Sequence, residues 1–366
     1  MNTTLRLEAE AVRVRGITSV GFDWTMMALC LWLQGGVYLD AWAHLHIPGM
    51  ATFFNPWHAV LYSGVMAAGA LAAWPERLAG RPRPDGYGLS LAGAVIFLGG
   101  GFFDMLWHLA FGIESDLEAL FSPTHIVLGL GATLIITGPL RAAWQPLRRG
   151  DTGWAKQGPM VISLGLLLSS LSFWTQYLHP FNRPWAALGN KPTTQVFPVA
   201  APDPLILGGG IPSLYIAQAS GMSSIVLQTA ITMGVMLWAL RRFGWTLPTG
   251  TFTVVFTLNA VMMGVLKDQF ALIPFALVAG IDADVLLAYL RPSPARIRAL
   301  RAFAFTVPAV YFILYLATIA VVKGLWWSTH LVTGTIMLAG MTGLLISYLV
   351  APGSEWRHDD NGHPAA

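Results

Sequence analysis

The chain has 366 residues, of which 55% are hydrophobic and 11% charged, with a mean hydropathy of +0.59 and a formal net charge of +3. A soluble domain carries roughly 25% charged residues, so this composition excludes an ordinary water-soluble globule. The single cysteine, Cys30, excludes an intramolecular disulfide and any cysteine-rich metal site.

Apolar stretches of about 20 residues, each long enough for a ~30 Å hydrocarbon core, recur along the chain. They predict about ten transmembrane helices, at 18–46, 56–74, 87–111, 123–143, 158–178, 212–240, 249–266, 270–290, 302–322 and 328–350. The fold class is therefore all-α: a polytopic integral membrane bundle, read as one transmembrane domain over 1–350 with a polar tail at 351–366. With a cytoplasmic N-terminus, every Lys and Arg except Arg183, Lys191, Lys267 and Lys323 falls on the inner side, as the positive-inside rule requires. The basic excess is thus topology, and no nucleic-acid partner is expected. Ala41-Trp42-Ala43 mimics a signal-peptide cleavage site, but the apolar stretch before it is too long and ends in Asp40, so cleavage is not expected.

The first four helices contain a repeat, 18–74 and 87–143. Tyr38-Leu39-Asp40-Ala41-Trp42-Ala43-His44 is followed, after a loop, by Phe54-Asn55-Pro56-Trp57-His58-Ala59-Val60-Leu61. Phe102-Phe103-Asp104-Met105-Leu106-Trp107-His108 is followed by Phe121-Ser122-Pro123-Thr124-His125-Ile126-Val127-Leu128. Both read Asp-x3-His, loop, Phe-(Asn/Ser)-Pro-x-His-x-Val-Leu, which marks a duplicated helical hairpin. Repeats of this kind often build a site in membrane proteins.

Asp-x3-His is an i, i+4 pair, so the two side chains share one helix face a turn apart. Asn55 and Ser122 suit an N-cap and Pro56 and Pro123 the first helical position, which puts His58 and His125 in the first turn of the next helix. Asp40, His44, His58, Asp104, His108 and His125 then all face the outer leaflet. Each hairpin offers one carboxylate and two imidazoles, a donor set that suits Cu, Zn or Fe better than Ca or Mg. Asp near a helix C-terminus opposes the macrodipole, and His at an N-terminus resists protonation, so both favour a bound cation. An Asp at the bilayer centre costs about 2.5–3.5 kcal/mol, which a cation would offset.

Further along, the loop between helices three and four carries Glu114, Asp116 and Glu118, which can attract cations or simply be solvated. A long external segment, 179–211, is rich in Pro and Gly and reads as a lid over the site. Helix eight carries Asp282 and Asp284, either structural acids or part of a transport path. Ser328-Thr329-His330 echoes Ser122-Pro123-Thr124-His125 without a preceding Asp-x3-His. His46, His179 and His330 are expected to be mainly structural, and His358 and His363 to be idle. Bis-His haem between His44 and His58 is disfavoured, because Pro48-Gly49 and Asn55-Pro56 interrupt any continuous helix.

The two successive Asp-x3-His, loop, His hairpins resemble the C subunit of the particulate methane and ammonia monooxygenases, over about residues 38–130. The resemblance implies an intramembrane copper held by Asp40, His44 and His58, and a nearby copper site at Asp104, His108 and His125. In that family the second set begins with Asn where this chain has Asp104, and the second loop here is longer. The expectation is a metal-dependent membrane oxidoreductase, copper monooxygenase-like, with copper first and zinc or iron as the other candidates. It would act on a small apolar substrate near the outer leaflet of a bacterial inner membrane, as a homo-oligomer or with additional membrane subunits. The alternatives are a zinc-dependent membrane hydrolase and a metal- or proton-coupled transporter.

Overall fold

A computed structural model describes residues 3–47, 54–77, 80, 82–112, 114, 116–145, 151–193, 196–198, 210–244 and 247–352. The tail residues His358 and His363, the Pro202-Asp203-Pro204 stretch, and Gly208 and Gly209 lie outside the described residues. The chain divides into two compact units, 1–170 and 171–366.

The first unit contains α1 (Thr3–His46), α2 (Pro56–Arg77), α3 (Gly88–Phe111), α4 (Asp116–Phe121), α5 (Pro123–Ile136), α6 (Gly138–Trp144) and most of α7 (Trp154–Trp174). The second contains α8 (Ser213–Phe243), α9 (Thr251–Leu266), α10 (Ile273–Leu290), α11 (Ile297–Lys323) and α12 (Thr329–Val350). All ten expected segments contain helix. Among the described residues six helices are long and apolar enough to cross a membrane, or seven if the bent α5–α6 pair is one span.

Three departures from the sequence reading have local causes. The first helix begins at Thr3 rather than residue 18. The fourth breaks at Thr137 with a bend of 46° between α5 and α6. Pro139 has no N–H to return to the carbonyl of Ile135. The Ser90 hydroxyl and the Cys30 thiol turn toward that carbonyl instead, at 3.4 and 3.6 Å, while Arg141 donates to the carbonyl of Leu134 at 2.7 Å. Finally, the loop between the third and fourth expected helices contains a short helix, α4.

A 3-10 turn at Gln176–Leu178 precedes the 179–211 segment; within that segment a second turn spans Leu188–Asn190, and strand β1 (Val196–Pro198) pairs antiparallel with β2 (Gly210–Pro212). In the second unit, Asp284 of α10 is buried and accepts hydrogen bonds from the backbone N–H groups of Phe252 and Thr253 and from the Thr253 hydroxyl, at 3.0, 2.9 and 2.7 Å. The carboxylate satisfies donors that the first turn of α9 would leave unpaired and sits at the positive end of that helix. These bonds give Asp284 a structural role at the start of α9.

The site depends on two close helix crossings, α1 with α2 and α3 with α5. A Cβ added at Gly36 would lie 2.8 Å from the Leu61 backbone, and one at Gly64 would lie 2.9 Å from the Leu33 backbone. In the second hairpin, a Cβ at Gly100 would lie 3.1 Å from Val127 and 3.3 Å from Leu128, and one at Gly131 would lie 2.8 Å from the Gly93 carbonyl and the Phe97 nitrogen. Gly36 and Gly100 stand four residues before Asp40 and Asp104; Gly64 and Gly131 stand six after His58 and His125. The repeat therefore includes the crossing points, where small residues let membrane helices approach closely.

Gly64→Ala is expected to lower thermal stability in detergent by an overpacking cost of about 1–3 kcal/mol. Gly35→Ala, where nothing lies within 4 Å of the added Cβ, should be neutral or slightly stabilising. Equal melting temperatures for Gly64→Ala and the parent would refute the close-crossing account.

Candidate metal centre

Each repeat brings its three expected residues together. Asp40, His44 and His58 offer one ligand atom each with all three atoms within 4.8 Å of one another, and so do Asp104, His108 and His125. Among the described residues these are the two such groups. The local causes are those the sequence suggests. Asn55 caps α2, its Oδ1 accepting the backbone N–H of His58 at 2.8 Å, and Ser122 caps α5, accepting the N–H of His125 at 3.4 Å. These caps fix His58 and His125 in a first helical turn, facing the last turns of α1 and α3.

The two groups match atom for atom. In the first, Asp40 Oδ2 faces His44 Nε2 at 3.8 Å and Oδ1 faces His58 Nε2 at 3.4 Å. In the second, Asp104 Oδ2 faces His108 Nε2 at 3.3 Å and Oδ1 faces His125 Nε2 at 3.8 Å. The two imidazole centroids are 5.9 Å apart in both groups.

These separations carry chemical information. They exceed the 2.7–3.2 Å of an ordinary N–H···O hydrogen bond. A metal held by N and O ligands at about 2.0–2.2 Å in tetrahedral geometry separates its ligands by roughly 3.4 Å. Asp40 Oδ1 is also buried without a hydrogen-bond partner, a costly state for a carboxylate oxygen unless a cation faces it. The donor chemistry, the spacing and the unpaired oxygen all fit a transition-metal ion.

Around the second group lies a set of partners that sequence reasoning missed as such. His108 Nδ1 lies 3.3 Å from the Gly112 carbonyl, its hydrogen-bond partner, and 3.1 Å from Glu114 Oε2, a close approach without hydrogen-bond alignment. The Thr124 hydroxyl donates to Asp104 Oδ1 at 2.6 Å, and Ser122 Oγ lies 2.7 Å from His125 Nδ1. An acceptor on Nδ1 leaves the lone pair of a neutral imidazole on Nε2, the atom that faces the carboxylate. Glu114 was visible only as one of three acids in a loop; of the others, Glu118 is exposed and the side chain of Asp116 lies outside the described residues. Comparing the repeats at Trp57 and Thr124 would have flagged the hydroxyl.

Tyr62, one turn after His58, stands between the groups. Its ring packs edge-on against His58 and Phe97, with centroids at 6.1 and 5.5 Å, and its hydroxyl occupies the space a side chain at Gly101 would need. Asp40 and Asp104 both act electrostatically on it.

The other described histidines, His46, His179 and His330, stand outside both groups. His46 stacks on Trp42 with its Nδ1 2.7 Å from the Trp42 carbonyl. His330 is exposed at the start of α12, which Ser328 caps. His179 is buried in the second unit, and its Nδ1 accepts the N–H of Phe181 at 3.1 Å. The Asp282 Oδ2 is buried without a hydrogen-bond partner but has no metal-ligating group around it among the described residues. Comparison with protein-family models, curated proteins and solved structures finds no match.

Burial, with the positive charge of Lys267 as a smaller cause, pushes His179 down to about 3 from an ordinary value near 6.5. A depressed folded value means that the unfolded chain takes up a proton below about pH 6.5 that the folded chain refuses until about pH 3. Stability tied to His179 is therefore complete above pH 6.5 and falls as the pH drops, by roughly 2 kcal/mol at pH 5. Thermal unfolding in detergent at pH 7 and pH 5 should show a clearly smaller acid-induced loss for His179→Gln than for the parent. An equal loss would contradict a neutral buried imidazole.

Proposed function

We propose that the chain is a metal-dependent integral membrane oxidoreductase with two metal sites, one per hairpin, of copper monooxygenase-like type. The observation that carries this reading is the twofold recurrence of one carboxylate and two imidazole nitrogens at metal-ligand spacing. Two imidazoles and a carboxylate suit Cu, Fe and Zn, and the resemblance of the hairpins selects copper among them. Bound copper would supply one-electron redox chemistry and activation of O2.

The chain's own residues supply the surroundings. Thr124, whose hydroxyl donates to Asp104, also lines an apolar cleft of about 440 Å³ with Phe103, Leu106, Trp107 and Val127. Phe103, Leu109 and Phe111 are 63%, 79% and 73% exposed, as residues that meet lipid would be. A small apolar substrate dissolved in the bilayer reaches the second site through such a cleft without crossing water. The proposed setting is a ten-span topology with a cytoplasmic N-terminus in a bacterial inner membrane, both sites toward the outer leaflet. A homo-oligomer or further membrane subunits are compatible with it.

The hydrolase reading, in which zinc would activate water, is weaker because the hairpins carry Asp-x3-His and not the Ser-x3-His or His-x3-His arrangement that usually accompanies it. The transporter reading is weaker because Asp284 is committed to α9.

Purified protein loaded in turn with copper, zinc and iron should retain close to two equivalents of copper by elemental analysis. His44→Ala and His108→Ala should each lose one. Retention of no metal overturns the reading, and retention of zinc alone transfers it to the hydrolase.

A further inference from the structure

The two sites share one plan but not one environment. Asp104 is 3% exposed and accepts the Thr124 hydroxyl. The aligned residue in the first hairpin is Trp57, which cannot serve as that hydroxyl, and Asp40 Oδ1 has no hydrogen-bond partner. The His44 side chain is 41% exposed, against 22% for His108, and among the described residues no acceptor engages its Nδ1.

Glu114 makes the largest difference. Both of its carboxylate oxygens are buried without a hydrogen-bond partner, and Oε2 approaches His108 Nδ1 at 3.1 Å. A buried carboxylate with so little solvation is costly. His108 Nδ1 also has the Gly112 carbonyl at 3.3 Å; a cation on the far nitrogen would polarise the ring, draw the Nδ1–H toward Glu114 Oε2 and place net positive charge beside that carboxylate. The second site thus faces two carboxylates, Asp104 directly and Glu114 across the His108 ring, whereas among the described residues no second carboxylate stands behind His44, the residue aligned with His108. Carboxylates hydrogen-bonded to the outer nitrogen of a ligating histidine typically change metal affinity by about 10–100-fold.

We infer that the sites are inequivalent: Asp104, His108 and His125 form a tight site for a resident ion, with Glu114 as its positioning residue, and Asp40, His44 and His58 form a weaker, exchangeable one. This rests on the proposed metal binding.

The test is a copper(II) titration of the detergent-solubilised full chain against a competing chelator, followed by electron paramagnetic resonance. The parent should bind two equivalents with affinities at least about tenfold apart. His44→Ala should abolish the weaker event alone, and His108→Ala the tighter. Glu114→Gln, nearly isosteric, should weaken only the tighter event by about tenfold or more and shift its copper hyperfine signature. Glu114→Asp should recover part of the affinity if its carboxylate reaches His108. Size-exclusion profiles and thermal melts of the metal-free variants separate misfolding from lost coordination. Two events of equal affinity, loss of the tighter event in His44→Ala, or an unchanged tight event and signature in folded Glu114→Gln would each overturn the inference. Absence of any binding by the parent would instead overturn the metal reading beneath it.

Discussion

The close crossing of paired helices at glycine is the constraint on which the site depends. An i, i+4 pair on α1 or α3 arises from helix geometry alone, but it yields one carboxylate and one imidazole. The third ligand comes from the next helix, and it reaches the other two only where the backbones nearly touch. Gly64 against Leu33, and Gly131 against Gly93 and Phe97, provide that contact. Glycine inside a helix is about 1 kcal/mol less favourable than alanine in water. In a membrane interface that local cost is set against the packing that close approach permits. Its recurrence at aligned positions in both hairpins ties it to the geometry of the ligands.

Much of this was legible before any coordinates. Hydropathy and length located the helices, because each apolar run is bounded by charge, Pro or Gly. The Asp-x3-His spacing and the Asn-Pro and Ser-Pro starts place the six ligands by local rules, and local rules survive folding. The crossing glycines were harder to read. The chain has 38 glycines, so four of them are conspicuous only when the repeats are aligned and the helix contacts are known. The sequence left Asp284 open between a structural acid and a transport residue, because the N–H groups it satisfies, those of Phe252 and Thr253, lie in another helix. The return of Glu114 to His108 depends on the path through α4, which no periodicity announces.

Burial explains why the outer partners gather at one site. Water can solvate a partly exposed acid, and Asp40, with a side-chain exposure of 16%, retains some of that access. The Asp104 side chain, at 5%, has almost none, so its lone pairs must be met from within the protein. Thr124 meets one of them, and the hydrogen bond also fixes which oxygen turns toward which imidazole. The same holds one step further out: the longer second loop brings the Gly112 carbonyl and Glu114 Oε2 to 3.3 and 3.1 Å from His108 Nδ1. After duplication, the deeper copy could hold a charged ligand set only with an outer shell of partners. The shallower copy has Trp57 in place of Thr124, and among the described residues its buried Asp40 Oδ1 is met only by His58 Nε2, at 3.4 Å. On this argument depth in the fold comes first, and the difference in coordination follows from it.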